Sequence, residues 1–149
     1  MTSATLGGEL SPSAFVRMSQ HELDELFQRS AAGTIPTGVT QGTAILLPGT
    51  LTSRIFRAFV SLLVWKGKVF SAGELKNRIS PFGILGIRAR VTYDASWMDG
   101  KNAILIDYSK TSFVAQKIRD EIREVSPGLY LGKVWWGKTR VLDFALQTT

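Results

Sequence analysis

The dipeptides Asp99-Gly100, Pro127-Gly128 and Gly137-Lys138 each stand between short runs rich in β-branched and aromatic residues. Such turn signals at this spacing commit the carboxy-terminal half to antiparallel hairpins. Ile87, Ala89, Val91 and Tyr93 alternate with Arg88, Arg90, Thr92 and Asp94, the period-2 pattern of a half-buried strand. Ala103 to Asp107 follows as its partner across Asp99-Gly100. Ile122 to Val125 runs into Pro127-Gly128, Leu129 to Trp136 leaves it, and Arg140 to Leu146 follows Gly137-Lys138. The expectation is a mainly β (α+β) protein: an antiparallel meander closed into a barrel or half-barrel, with helices before and beside it. Between Ser112 and Lys117 a helical turn is expected. The next stretch, from Ile118, fits either a helical face or a strand, and β-branched Ile122 and Val125 favour the strand.

The amino-terminal half carries helix signals. Ser19-Gln20-His21-Glu22 reads as a capping box, with Leu23, Leu26 and Phe27 on one face until Ala31-Ala32-Gly33 ends the pattern. Ser11-Pro12 opens one earlier turn through Met18. Thr34 to Gly42 is turn-rich, and Thr43 to Leu47 reads as a strand broken by Pro48-Gly49. From Arg54 to Trp65 a helix is expected that is apolar over most of its circumference, and a strand begins at Lys68.

A length of 149 residues suits one domain with a single core, and residues 1–18 are expected to form an amino-terminal arm. Cysteine is absent, which excludes thiol catalysis, disulfides and thiolate metal sites. The longest apolar stretch, Ala58 to Trp65, is far shorter than a membrane span, and Met1 to Gly8 has no basic region ahead of an apolar run. A cytoplasmic location is the expectation. The net charge of +6 is concentrated: Arg54, Arg57, Lys66, Lys68, Lys76, Arg78, Arg88 and Arg90 face only Glu74 between residues 51 and 93. Without a recognised nucleic-acid motif or an aromatic stacking signature, that charge reads as the surroundings of a cavity entrance or a surface for acidic ligands.

Ile104-Leu-Ile-Asp-Tyr108, Ile118 to Val125, Pro127-Gly-Leu-Tyr-Leu-Gly132 and Phe144-Ala-Leu146, in that order, resemble the carboxy-terminal half of bacterial GXWXG-type domains of unknown function. The resemblance spans residues 65–147 and implies a small lipocalin-like (calycin) antiparallel β-barrel, with an amino-terminal helix and the apolar helix packed on it or capping it. Gly38-Val-Thr-Gln-Gly42 keeps the glycine spacing of the family motif and replaces its Trp by Thr40. The barrel floor is therefore expected to lack an aromatic plug, with Phe59, Leu63 or Trp65 supplying the missing bulk.

Small barrels are either filled by side chains or enclose one ligand. Along the last strand, Arg140, Leu142, Phe144 and Leu146 share one face. Val141, Asp143, Ala145 and Gln147 share the other, a composition suited equally to a cavity lining or to solvent. Asp107 and Asp143, flanked by apolar residues, are the acid/base candidates, with Tyr108 as an electrophile. Trp65, Arg88, Arg90, Tyr93, Glu121, Arg123, Tyr130 and Trp135 are the ligand-binding candidates, the arginines and tyrosines for a carboxylate or carbonyl. His21, the lone histidine, is expected to be exposed, so no multi-histidine metal site and no cofactor is expected. Nucleotide-loop and serine-hydrolase motifs are missing. The leading expectation is a binding protein for an apolar small molecule. The alternative is a cofactor-free cyclase, isomerase or lyase acting on a polyketide-, terpenoid- or lipid-like substrate. Nucleic acid is disfavoured as a partner, and contact with an anionic membrane or a homodimer would be further arrangements of the same surface.

Overall fold

The computed structural model describes residues 9–45, 65–71, 74–79, 84–107 and 117–148. Two helices, α1 (Pro12–Val16) and α2 (Gln20–Arg29), precede eight strands. These are β1 (Gly38–Ile45), β2 (Trp65–Ser71), β3 (Glu74–Ile79), β4 (Ile84–Ala95), β5 (Asn102–Asp107), β6 (Ile118–Ser126), β7 (Leu129–Trp136) and β8 (Thr139–Thr148). Every strand pairs antiparallel with its neighbour in sequence, and β1 pairs with β8 as well as β2, so the sheet closes on itself.

The helices start where their caps direct. The Ser11 side chain accepts from Ala14 N ahead of Pro12, and Ser19 and Glu22 exchange both bonds of a capping box. Phe15 of α1 and Leu23, Leu26 and Phe27 of α2 are buried against Leu129, Leu131 and Ala145 on the outer surface of β7 and β8. A second cluster faces the inside: Ile104, Ile106, Ile122, Val134, Leu142, Phe144 and Leu146, with Phe70 and Val91. Strands β6 to β8 are thus covered on both faces, one by the barrel interior and the other by helices.

Several expectations change in the structure. β1 begins at Gly38, inside the segment expected to be turn-rich, because Thr40 to Ile45 pair residue by residue with Asp143 to Thr148. Trp65 opens β2 and pairs with Ile79 instead of ending a helix. β3 was not anticipated; its sequence, Glu-Leu-Lys-Asn-Arg-Ile, has too few apolar residues to announce a strand. The expected apolar helix through residue 64 and the helical turn expected from residue 112 lie outside the described residues, apart from Lys117, which is in a turn. Ile118 to Ser126 is a strand, as the β-branched residues favoured. The Asp99-Gly100 turn forms with Gly100 at φ 74°, and Ser96 N donates to Lys101 O at 2.8 Å.

The barrel end bearing this turn and the Pro127-Gly128 turn is closed by the strap that follows α2. Ala32 O accepts from Glu124 N (3.0 Å), and Thr34 N donates to Glu124 Oε1 (3.0 Å). Tyr93 donates to Gly33 O (2.7 Å), and Tyr130 to Thr34 O (2.5 Å). Gly33 adopts φ 79° where an added Cβ would overlap the Glu124 side chain, so this close crossing requires glycine. Ala32 and Ile35 enter the interior cluster from the strap.

Candidate functional site

Strand register sorts the inward residues into successive rows. At the strapped end Glu124, Tyr130, Leu146 and Gly42 stand in register. The next row contains Tyr93, Ile104, Ile122, Gly132 and Phe144. Gly132 has no side chain because the Phe144 ring occupies that space; a Cβ there would overlap Cζ, Cε1 and Cε2. Phe144 thus places an aromatic floor across the interior at this level, while Phe59 and Leu63, from which bulk at the floor was expected, lie outside the described residues. Thr40 itself is buried.

Above the floor, Val91, Ile106, Asp120, Val134 and Leu142 form the third row. Asp120 is only 3% exposed, a carboxylate set among buried aliphatic side chains. Two residues farther along, Ile118 pairs with Trp136, toward the end with the Gly137-Lys138 turn. Asp120 was not among the sequence candidates. Its parity with Ile118 and Ile122 is the signal that would have found it, obscured because the Arg119 to Glu124 charge run read as one solvated face.

Apart from Tyr130, the expected site residues on β6 to β8 occupy the outer surface. Leu105, Glu121, Lys133, Asp143 and Ile45 stand in register there. Asp143 does not line the interior: it lies under α2, fully buried, with Oδ2 accepting from Lys133 Nζ at 2.6 Å. The same Nζ donates to Asp24 Oδ1 of α2, also at 2.6 Å, and Arg140 binds both oxygens of Asp24 (2.8 and 3.1 Å). Gln20 Nε2 joins Asp24 at 2.7 Å. Arg140 shares the outer surface with Asp143, contrary to the expected alternation. The register shifts between Val134 and Trp135, so Trp135 faces Arg140, Val134 faces Leu142, and Val141 is the extra residue of a bulge.

Glu121 and Arg123 share a face as expected, but it is not the inward one. Glu121 accepts from Ser96 Oγ (2.5 Å), Trp97 N (2.8 Å) and Arg119 Nε (2.9 Å), anchoring the β4–β5 turn. Arg123 forms a fork onto Asp99, with both bonds at 2.8 Å, and donates to the carbonyls of Asn102, Lys101 and Phe27. Its guanidinium thereby joins the turn to the carboxy-terminal end of α2, where a cation also complements the helix dipole. These charges hold the fold together and are sealed from any ligand.

The other candidates are distributed as follows. Asp107 is half-buried in register with Arg90 and Arg119 on the outer surface, and Arg90 is exposed. Tyr93 uses its hydroxyl on the strap. Tyr130 is inward but committed to Thr34 O; burial, reinforced by the neighbouring Glu124 carboxylate, pushes its phenol well above the ordinary range. Trp135 is outward, edge-on to the half-exposed Trp97 at 5.7 Å, and Trp136 is the indole that joins the interior cluster. Arg119 lies over the Trp97 ring at 4.3 Å. Arg88 is placed in β4 by its backbone pairing with Lys76, and Tyr108 lies outside the described residues. His21 is exposed and bonded to Glu25. Among the described residues no cluster of His, Asp and Glu is arranged to hold a metal ion, and no helix is long and apolar enough to cross a membrane.

The buried Asp143 and the partly buried Asp24 and Asp99 respond to pH in opposite directions. Burial raises the Asp143 carboxyl above its ordinary 3.8 despite Lys133. For Asp24, burial acts the same way, but hydrogen bonds from Lys133 and Arg140 outweigh it and hold the carboxyl below 3.8; the Arg123 fork does so for Asp99. The stability that Asp24 and Asp99 contribute is present above 3.8 and is lost as pH falls through their folded values. That from protonating Asp143 is present below 3.8 and is lost as pH rises through its folded value. Thermal unfolding followed from neutral pH down to about pH 2 should therefore show a shallower acid loss in Asp99→Asn than in the wild type, and a steeper one in Asp143→Asn.

No family model matches this chain, and neither does any curated protein sequence. Among solved structures it is similar to a protein from Thermomonospora curvata, with a TM-score of 0.64 at 19% identity over 92% of each chain. That likeness extends over nearly the whole chain and concerns the fold.

Proposed function

We propose that this chain is a lipocalin-like carrier that binds an apolar small molecule inside the barrel, between the Phe144 floor and the end opposite the strap. The observation that carries this reading is Asp120, a buried carboxylate set in register with the aliphatic Val91, Ile106, Val134 and Leu142. Burying a carboxylate costs free energy unless something compensates it, so proteins retain one there chiefly where it serves a structure or a ligand. An apolar enclosure with few polar groups is the usual chemistry of a small-molecule site.

The enzyme reading has less support. Asp143 lies under α2, Asp107 stands on the outer surface, and Tyr130 is four residues of strand from Asp120's row, about 13 Å away, too far for direct proton transfer between them. Native mass spectrometry of the purified protein, followed by titration with the neutral fluorophore N-phenyl-1-naphthylamine, tests the carrier reading. The expected result is a co-purified small molecule, or one fluorophore bound per chain and displaced by apolar compounds. A protein that arrives empty and does not bind the fluorophore would contradict it.

A further inference from the structure

We infer that the ligand of this barrel presents a hydrogen-bond donor at its polar end, as an aliphatic amine or alcohol does, and that Asp120 receives it. This rests on the ligand site proposed above and fixes its polarity. The sequence suggests the opposite, a ligand carboxylate or carbonyl met by an arginine or tyrosine. Among the candidates whose side chains are described, the structure directs those groups elsewhere. Arg123 is consumed by Asp99 and three backbone carbonyls, Arg119 by Glu121 and Ala95 O, and Arg90 is exposed on the outer surface. The hydroxyls of Tyr93 and Tyr130 both donate to the strap.

On the inward rows above Phe144, among the residues whose side chains are described on β4 to β8, the buried polar side chain is instead an acid. Asp120 already takes part in an interaction within the protein. An ionised carboxylate nevertheless offers about four lone-pair positions, so a ligand donor can join an existing partner. In apolar surroundings a charge-assisted hydrogen bond from an ammonium is strong, and a second carboxylate would be repelled at the same short range. An alcohol falls between the two. The aliphatic row around Asp120 suits the alkyl chain, and Phe144 limits how deeply it can descend.

The test uses the full-length protein and three ligands of matched chain length, decylamine, decan-1-ol and decanoate, each displacing N-phenyl-1-naphthylamine at neutral pH. Decylamine should bind at least about tenfold more tightly than decanoate, with decanol between them. In Asp120→Asn the amine-to-acid ratio should collapse to below about threefold, each competitor being read against the variant's own affinity for the fluorophore. Decanoate binding as tightly as decylamine to the wild-type protein would overturn the inference and leave the carrier reading intact, and this ranking needs no variant. A preference that persists unchanged in Asp120→Asn would also overturn it, by assigning the selectivity to another group. Failure of every compound, the fluorophore included, would defeat the carrier reading itself and the inference with it.

Discussion

Replacing Lys133 with methionine is expected to lower the unfolding free energy by about 3–5 kcal/mol, the range found when one partner of a buried ion pair is removed. Lys133 is fully buried, and its ammonium sits 2.6 Å from both Asp24 and Asp143. Without it, Asp24 keeps Arg140, but Asp143 loses the ammonium that compensates its burial. The cost should therefore concentrate on Asp143. The double variant Lys133→Met with Asp143→Leu removes both charges and is expected to recover most of the loss, because apolar replacements of a buried pair are often neutral or better. Urea unfolding of the two variants measures this. A loss below about 1 kcal/mol in Lys133→Met would show that the network contributes no more than a surface ion pair.

Arg123→Met should be similarly damaging, by about 3–5 kcal/mol, for a different reason. One side chain satisfies the Asp99 carboxylate and the carbonyls of Phe27, Lys101 and Asn102, tying α2 to the β4–β5 turn. Its loss leaves the buried Phe27 carbonyl and the part-buried Asp99, Lys101 and Asn102 acceptors without these donors at once. Arg123→Lys keeps the charge without the planar fork and should recover only part of the stability. Amide hydrogen exchange provides a local readout. Amides bonded across the turn, such as Ser96 N to Lys101 O, and the Ser30 N that caps α2 on Phe27 O should lose protection before the amides of β7 and β8. Uniform loss across the barrel would show that Arg123 supports the whole fold and not this junction.

The local signals in the sequence were readable because each is a short-range physical event. Ser19 and Glu22 form the capping box their spacing promised, and Asp99-Gly100 and Pro127-Gly128 turn where glycine tolerates the backbone. Faces were harder to assign. Alternation identifies a strand but does not say which side is inside, and the usual guide, that the apolar face is the buried one, fails when helices cover the outer surface as well. Glu121, Arg123, Lys133 and Asp143 are all buried beyond solvent, yet none faces the interior. The bulge at Val141 adds a shift of one residue, which moves Arg140 to the side of Asp143. Asp120 was legible in principle, since strand parity groups it with Ile118 and Ile122. Its neighbours Arg119 and Glu121 disguised it, because a run of charges usually marks a wet surface. The cationic partners of Asp24 were not legible at all: Lys133 and Arg140 are more than a hundred residues away in sequence.

The carrier reading predicts where a ligand sits, and methyl-resolved NMR with selectively labelled isoleucine, leucine and valine tests that directly. On titration with decan-1-ol, the methyl signals of Ile106, Val134 and Leu142, which share Asp120's inward row, should shift and saturate together. Leu129 and Leu131, packed under the helices on the outer surface, should remain in place. Shifts confined to Leu129 and Leu131, or no saturable shift at the inward methyls, would contradict a ligand inside this barrel.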